Sequence, residues 1–158
     1  MITNKINATD LKKIISSNKE IAFIDVRELG QHTKGHPFFS ISLPYSEFEI
    51  KIEKLVPNKK TQLVFIDNND GISLLVYKLA NLMKYDNIFI LEDGILGWVN
   101  EGFLLFDGIN VPSKSFGELI EKYFHTPSIT AKELAQKQKN NENYIVIDGR
   151  PFLEYNKM

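Results

Sequence analysis

The spacing of apolar positions changes period along the chain. In residues 7–17, Leu11, Ile14 and Ile15 recur at helical spacing, and Asn7 stands as an N-cap with Asp10 three residues on, which predicts a short amphipathic helix. After the polar break Ser17, Asn18, Lys19, residues 21–26 are apolar without interruption until Asp25, the pattern of a strand buried on both faces. Residues 62–66 and 87–91 repeat that signature. Between them, residues 73–83 place Leu75, Leu79, Leu82 and Met83 along one helical face, with Leu74, Val76 and Tyr77 widening it. Strand, tight loop, helix and strand make a βαβ crossover, so the expected fold is α/β: a parallel sheet flanked by helices, ending near Gly108.

Residues 109–127 read as a helical connector. Its helix is expected to start at Ser115, where Glu118 completes a Ser-x-x-Glu capping box, with Pro112 and Pro127 punctuating the two ends. Beyond Pro127 the sequence begins again: Ile129, Thr130 and Leu134 stand against Ile6, Asn7 and Leu11, and Ile147, Asp148 and Arg150 against Ile24, Asp25 and Arg27. The offset is 123 throughout (129 against 6, 150 against 27). An ungapped match of cap, helix and strand end indicates an internal repeat. The expected organisation is a domain over 1–108, the connector over 109–127, and the truncated start of a second copy over 128–158, in a fragment of a longer protein. The second-copy strand, residues 144–147, is apolar and lacks a sheet of its own. It is expected to be disordered, packed on the first unit or paired with another chain, so a homo-oligomer through the truncated second copy is one partner expectation.

Composition narrows the chemistry. With 43% hydrophobic and 25% charged residues over 158 positions, the chain can bury one ordinary core and is too short for two full α/β domains. A net charge of −1, from 19 basic against 20 acidic residues, leaves no footprint for nucleic acid or an anionic membrane. No run approaches the roughly 18 apolar residues of a spanning helix, and no leader pattern opens the chain, so a cytoplasmic location is expected. The absence of cysteine excludes disulfides, thiolate metal sites and a cysteine nucleophile. The three histidines, His32, His36 and His125, are too few and scattered for a ligand set, and neither a metal nor a cofactor is expected.

Three stretches of the first unit together resemble the rhodanese superfamily, over roughly residues 6–108. Asp25-Val26-Arg27-Glu28, followed by Gly35-His36 and Pro44, is similar to the family's Asp-x-Arg-Glu strand end and Gly-His-Ile-Pro-Gly-Ala turn, from which residues 37–40 depart. Leu91-Glu92-Asp93-Gly94 with Trp98 and Gly102 is similar to its closing Leu-x-Gly-Gly-x-x-x-Trp-x-x-x-Gly, Asp93 replacing one glycine. The third stretch is the loop after residues 62–66. The family places its cysteine at the start of that loop, and here the position falls on Asp67.

In the family, sulfur passes through a persulfide on a thiolate, stabilised by loop amides and a helix N-terminus. A carboxylate cannot carry the sulfur. The loop Asp67, Asn68, Asn69, Asp70, Gly71, Ile72, Ser73 has no basic residue and would present two negative charges to an approaching anion. The resemblance therefore implies an active-site-like loop with no catalytic residue, in a non-catalytic module of a longer thiosulfate sulfurtransferase-like protein. The connector and residues 148–155 look like the junction of bacterial proteins that string several such units together, which implies that the natural partner is the downstream domains and that a later one carries the cysteine. The alternative is a structural part of an active enzyme that shapes the next unit's site.

For the individual residues, structural roles are expected. Asp67 caps the loop, accepting amide hydrogen bonds near Gly71 to Ser73 in place of a bound anion. Asp25 and Arg27 form an ion pair or turn contact, Gly35 and His36 belong to a turn, Gly94 marks the closing motif, and Trp98 lies in the core. A rival reading, a phosphoacceptor receiver domain with Asp67 at its acidic strand end and Asp107 on an acceptor strand, leaves the residues from Asp25 to Pro44 and the repeat unexplained.

Overall fold

The computed structural model describes residues 3–17, 19–150 and 152–156, without the side chains of Leu153 and Glu154. The chain divides into two compact units, Met1–Glu118 and Leu119–Met158.

In the first unit the three continuous apolar runs become β2 (Ile21–Asp25), β4 (Gln62–Ile66) and β5 (Ile88–Leu91). Two strands of two residues each, β1 (Lys5–Ile6) and β3 (Ile41–Ser42), extend the sheet and were not foreseen, because no hydrophobic period can be read from two positions. The five strands are parallel, in the order β1-β5-β4-β2-β3. Successive side chains point to opposite faces. Ala22, Ile24, Leu63 and Phe65 pack in one layer with Phe48 and Ile52 of α3 (Phe48–Leu55) and with Val76, Tyr77 and Ala80 of α4 (Ile72–Leu82). Phe23, Val64 and Ile66 pack in the other with Leu11 of α1 (Ala8–Ile15) and with Ile95 and Trp98 of α5 (Gly94–Asn100). Helices on both faces explain why β2 and β4 are apolar without alternation.

The helix α4 corrects one expectation. Its buried face is Ser73, Val76, Tyr77 and Ala80, whereas Leu75 and Leu82 are 47% and 80% exposed. Its leucines gather on one side, so their periodicity points to the wrong face. Docking of its N-terminus at the end of β4 sets the phase instead.

The connector helix α6 (Val111–Phe124) starts four residues before Ser115, so the Ser115–Glu118 capping box does not exist. Pro112 sits in the first turn, where a missing N–H costs no intrahelical bond, and Lys114 N–H already bonds the Asn110 carbonyl at 2.9 Å. In the second unit α7 (Ala131–Lys139) begins after Thr130, whose hydroxyl accepts the Glu133 N–H while the Glu133 carboxylate accepts the Thr130 N–H. A one-turn helix α8 (Phe152–Tyr155) follows. Residues 144–147 are in no strand, and Ile145 and Ile147 are 85% and 83% exposed.

Candidate functional site

Parallel strands bring their C-terminal ends to one edge of the sheet, where α/β folds build their sites. The register Asp25↔Ile66 places Asp25 beside the residue that precedes Asp67. Two clusters meet there.

The first is the loop between β4 and α4. Asp67 is 3% exposed, and its carboxylate turns back into the loop: Oδ1 accepts the Asn69 N–H at 2.9 Å and Oδ2 the Ser73 N–H at 2.8 Å. Left-handed backbone at Asn69 (φ 61) and Gly71 (φ 89) curls the chain so that these amides converge. Two of the loop's N–H groups, those of Asn69 and Ser73, are thus engaged by a carboxylate of the loop itself.

The start of α5 holds this loop from the other side. The Asp67 carbonyl accepts the Ile95 N–H at 2.8 Å. A Cβ on Gly94 (φ +55) would lie 2.3 Å from that carbonyl oxygen and 2.9 Å from the Asn69 nitrogen, so glycine is the residue that lets the two backbones touch. Asp93, standing where the family motif has glycine, keeps the same left-handed conformation at φ 55. Aspartate is among the few side chains that tolerate it.

A cavity of about 250 Å³ opens beside the loop, lined by Lys5, Asp67, Asn69, Ser73 and Asp93 among others. Lys5 amends the expectation of a purely negative approach: it comes from β1, sixty-odd residues away in sequence, and so is invisible to a reading of the loop alone.

The second cluster is buried under the turn that follows β2. Arg27 Nε and Nη2 donate to the two Asp25 carboxylate oxygens at 2.9 and 2.7 Å, and Arg27 Nη2 also donates to the Gly35 carbonyl at 2.8 Å. Arg27 Nη1 reaches Asn68 Oδ1 at 3.3 Å, which links this cluster to the loop. His32, which sequence reasoning passed over, donates from Nδ1 to Asp25 Oδ2 at 2.8 Å. His36 donates from Nδ1 to the His32 carbonyl at 2.9 Å, and the two rings stack with centroids 3.7 Å apart. His36 lies beyond the end of α2 (Leu29–His32), so the pairing of the two rings comes from the turn and not from a helical period.

Burial raises the Asp25 pKa, but the hydrogen bonds from Arg27 and His32 and the Arg27 charge outweigh it and hold the carboxyl below its ordinary value. Burial lowers the His36 pKa, so its neutral form is favoured. His36 also ties the turn to residues 103–106 through paired backbone hydrogen bonds with Phe106, at 3.0 and 2.8 Å. Trp98 is 3% exposed, packs between Phe23 and Phe103 and donates to the Leu104 carbonyl at 3.1 Å. These contacts are those of a core residue.

A parallel sheet covered on both faces, with a curled loop between its central strand and the following helix, defines an α/β domain of the rhodanese kind. The sequence profile of the rhodanese-like domain matches residues 7–101, and the chain belongs to that family. Among solved structures it is similar to the thiosulfate sulfurtransferase from Pseudomonas aeruginosa, with 33% identity and a TM-score of 0.86, over 96% of this chain and 29% of that one. The chain thus spans less than a third of that protein's length. A rhodanese-related protein from Thermoplasma volcanium is 27% identical with a TM-score of 0.56, over 65% of this chain and 97% of that one. The polysulfide-sulfur transferase from Wolinella succinogenes, 20% identical with a TM-score of 0.56 over 68% and 81% of the two chains, shares the fold. No curated protein sequence matches. No helix among the described residues is long and apolar enough to cross a membrane.

Proposed function

We propose that the chain is a non-catalytic rhodanese-like module of a longer thiosulfate sulfurtransferase-like protein, in which residues 128–158 open a second unit and a downstream unit supplies the cysteine. The observation that carries this reading is the Asp67 carboxylate, which occupies the loop amides with both oxygens and cannot form a persulfide. Around it the frame is intact: the close approach at Gly94, the Arg27 link to Asn68 and the docked α5 remain. The partners of such a module are the other units of its own protein.

A second reading, in which this unit shapes the active site of the next one, is favoured by the fraction of the Pseudomonas protein that the chain spans. Activity of the parent with and without residues 1–108 separates the two, because equal activity would count against it.

The first test is thiosulfate:cyanide sulfurtransfer by the chain and by Asp67→Cys. The wild-type chain is expected to show no turnover above buffer, and turnover by it would overturn the proposal. The Asp67→Cys chain is expected to form a persulfide detectable by mass spectrometry, since the same amides then face a thiolate. Failure to do so would mean that the loop has diverged beyond its first residue.

A further inference from the structure

Pro37-Phe38-Phe39-Ser40 is where the sequence departs from the family turn, and neither the Asp67 loop nor the Asp25 cluster makes use of it. Its two phenylalanines form one wall of a cavity of about 360 Å³, which Lys12, Trp98, Phe103 and Phe106 also line. That volume falls in the range of small-molecule pockets, roughly 300–1,000 Å³. The cavity shares no lining residue with the one beside Asp67.

The walls are held in place from behind. Ser40 Oγ donates to the Pro37 carbonyl at 2.8 Å and closes the turn on itself. Phe38 meets Phe106 edge to face with ring centroids 5.1 Å apart, and Trp98 and Phe103 lean together at 4.8 Å. Because the Leu104 carbonyl takes the Trp98 indole N–H, this side chain offers a ligand its ring and no donor. An aromatic slot formed in advance loses little freedom when it is filled.

A single charge faces the slot. Lys12 is the one charged residue of the lining, and its Nζ stands 6.0 Å from the ring centroids of both Trp98 and Phe103. That is the outer limit of cation–π attraction, so the rings do not satisfy the ammonium. Among the described residues Lys12 is in no ion pair: Asp10 holds Lys13 at 2.7 Å, and the Glu101 carboxylate accepts the Thr9 hydroxyl at 2.8 Å. A cation without a carboxylate, beside exposed ring surface, selects an anion with a flat apolar body. The rim favours a small molecule over a peptide strand, since the Phe106 N–H and carbonyl are paired with His36 and the Phe103 N–H bonds the Trp98 carbonyl.

We propose that this cavity binds a small aromatic carboxylate, with its ring system among Phe38, Trp98, Phe103 and Phe106 and its carboxylate on the Lys12 ammonium. The inference goes beyond the sulfur-transfer reading and does not rest on it.

Naphthoate is the probe and the uncharged naphthamide its control, each titrated calorimetrically into the whole chain at low ionic strength. The chain has one tryptophan, so a single indole N–H resonance reports whether the ligand sits at Trp98. Naphthoate is expected to bind at one site, to shift that resonance, and to bind about tenfold tighter than naphthamide, the scale of a hydrogen bond to a charged group. Lys12→Met is expected to erase the difference between the two probes while leaving thermal unfolding unchanged, because Lys12 is exposed. Phe38→Ser is expected to weaken both. The proposal is overturned by the absence of binding heat and of an indole shift, by equal affinity of the wild-type chain for the two probes, or by a preference for naphthoate that survives Lys12→Met.

Discussion

The sequence Ile-Asp-x-Arg occurs twice, and the two copies share their local geometry while differing in everything around it. In the first, the Arg27 backbone N–H and Nε donate to Asp25 Oδ1 at 3.1 and 2.9 Å, and Nη2 donates to Oδ2 at 2.7 Å. In the second, the same atoms of Arg150 meet Asp148 at 2.9, 3.0 and 2.6 Å. The Arg27 and Asp25 side chains are 6% and 0% exposed, those of Arg150 and Asp148 38% and 33%. A two-residue spacing is therefore enough to fold the fork, because the aspartate closes a turn on its own backbone and the guanidinium matches a carboxylate edge to edge. Burial, and with it the energy, comes from neighbouring strands that the first copy has.

The sharpest way to break this comparison is to remove each aspartate. Asp25→Ala leaves the Arg27 guanidinium buried without its carboxylate and takes the acceptor from His32. It is expected to cost the first unit about 3–5 kcal/mol, a large share of a stability of ordinary size. Asp148→Ala breaks a solvent-exposed pair and is expected to leave stability nearly unchanged. Urea unfolding followed through Trp98 reads the first loss directly. Equal, small shifts for both variants would show that the Asp25 cluster is as loosely held as its exposed counterpart.

Proton linkage should separate the copies next. His36 has a folded pKa below its unfolded value of 6.5, so the unfolded chain takes up the proton first. Its contribution is fully present above pH 6.5 and is lost as pH falls through the lowered folded value. Asp25 is also depressed, so its contribution is present above 3.8 and lost on further acidification. Thermal midpoints of the first unit are expected to be flat near neutrality, to fall below pH 6.5 and to fall again below 3.8. His36→Gln should flatten the first descent and spare the second. In the second copy, Asp148 is lowered to about 2 by Arg150, but the pair is open to solvent. Its titration, followed by carboxyl resonances, should therefore move stability little.

The same contrast explains what the sequence could and could not disclose. Continuous apolar runs marked β2, β4 and β5 because both faces of those strands are covered, and the Asn7 cap marked α1 because its hydrogen bond is local. The rotation of α4 was misleading in the sequence, since its leucines gather on one side whereas the face that docks is Ser73, Val76, Tyr77 and Ala80. In the site, the amide bonds to Asp67 follow from the loop's own residues, whereas Lys5 and His32 join through strand order and a short helix that no sequence period announces. Features fixed within about four residues were readable at Asn7 and Thr130 but not at Ser115, whose capping pattern lies inside α6. Those fixed by the sheet were readable only as far as the strands themselves.

The smallest effect sharpens the comparison at the helix caps. Asn7 Oδ1 accepts the Asp10 N–H at 2.8 Å, and Thr130 Oγ1 accepts the Glu133 N–H at 3.2 Å, the two caps standing 123 residues apart in the sequence. Either one changed to alanine removes an N-cap worth about 1 kcal/mol. In α1, however, Ala8 and Leu11 are buried in the first unit's core, so fraying of the helix is coupled to the rest of the fold. Asn7→Ala should then lower the cooperative unfolding midpoint. The helix α7 has no buried residue among those described, so Thr130→Ala should leave that midpoint alone and appear instead as faster hydrogen exchange in the first turn of α7. If Thr130→Ala shifted the cooperative transition as far as Asn7→Ala does, the second unit would be energetically part of the first, and the Thr130 cap would not be a purely local feature.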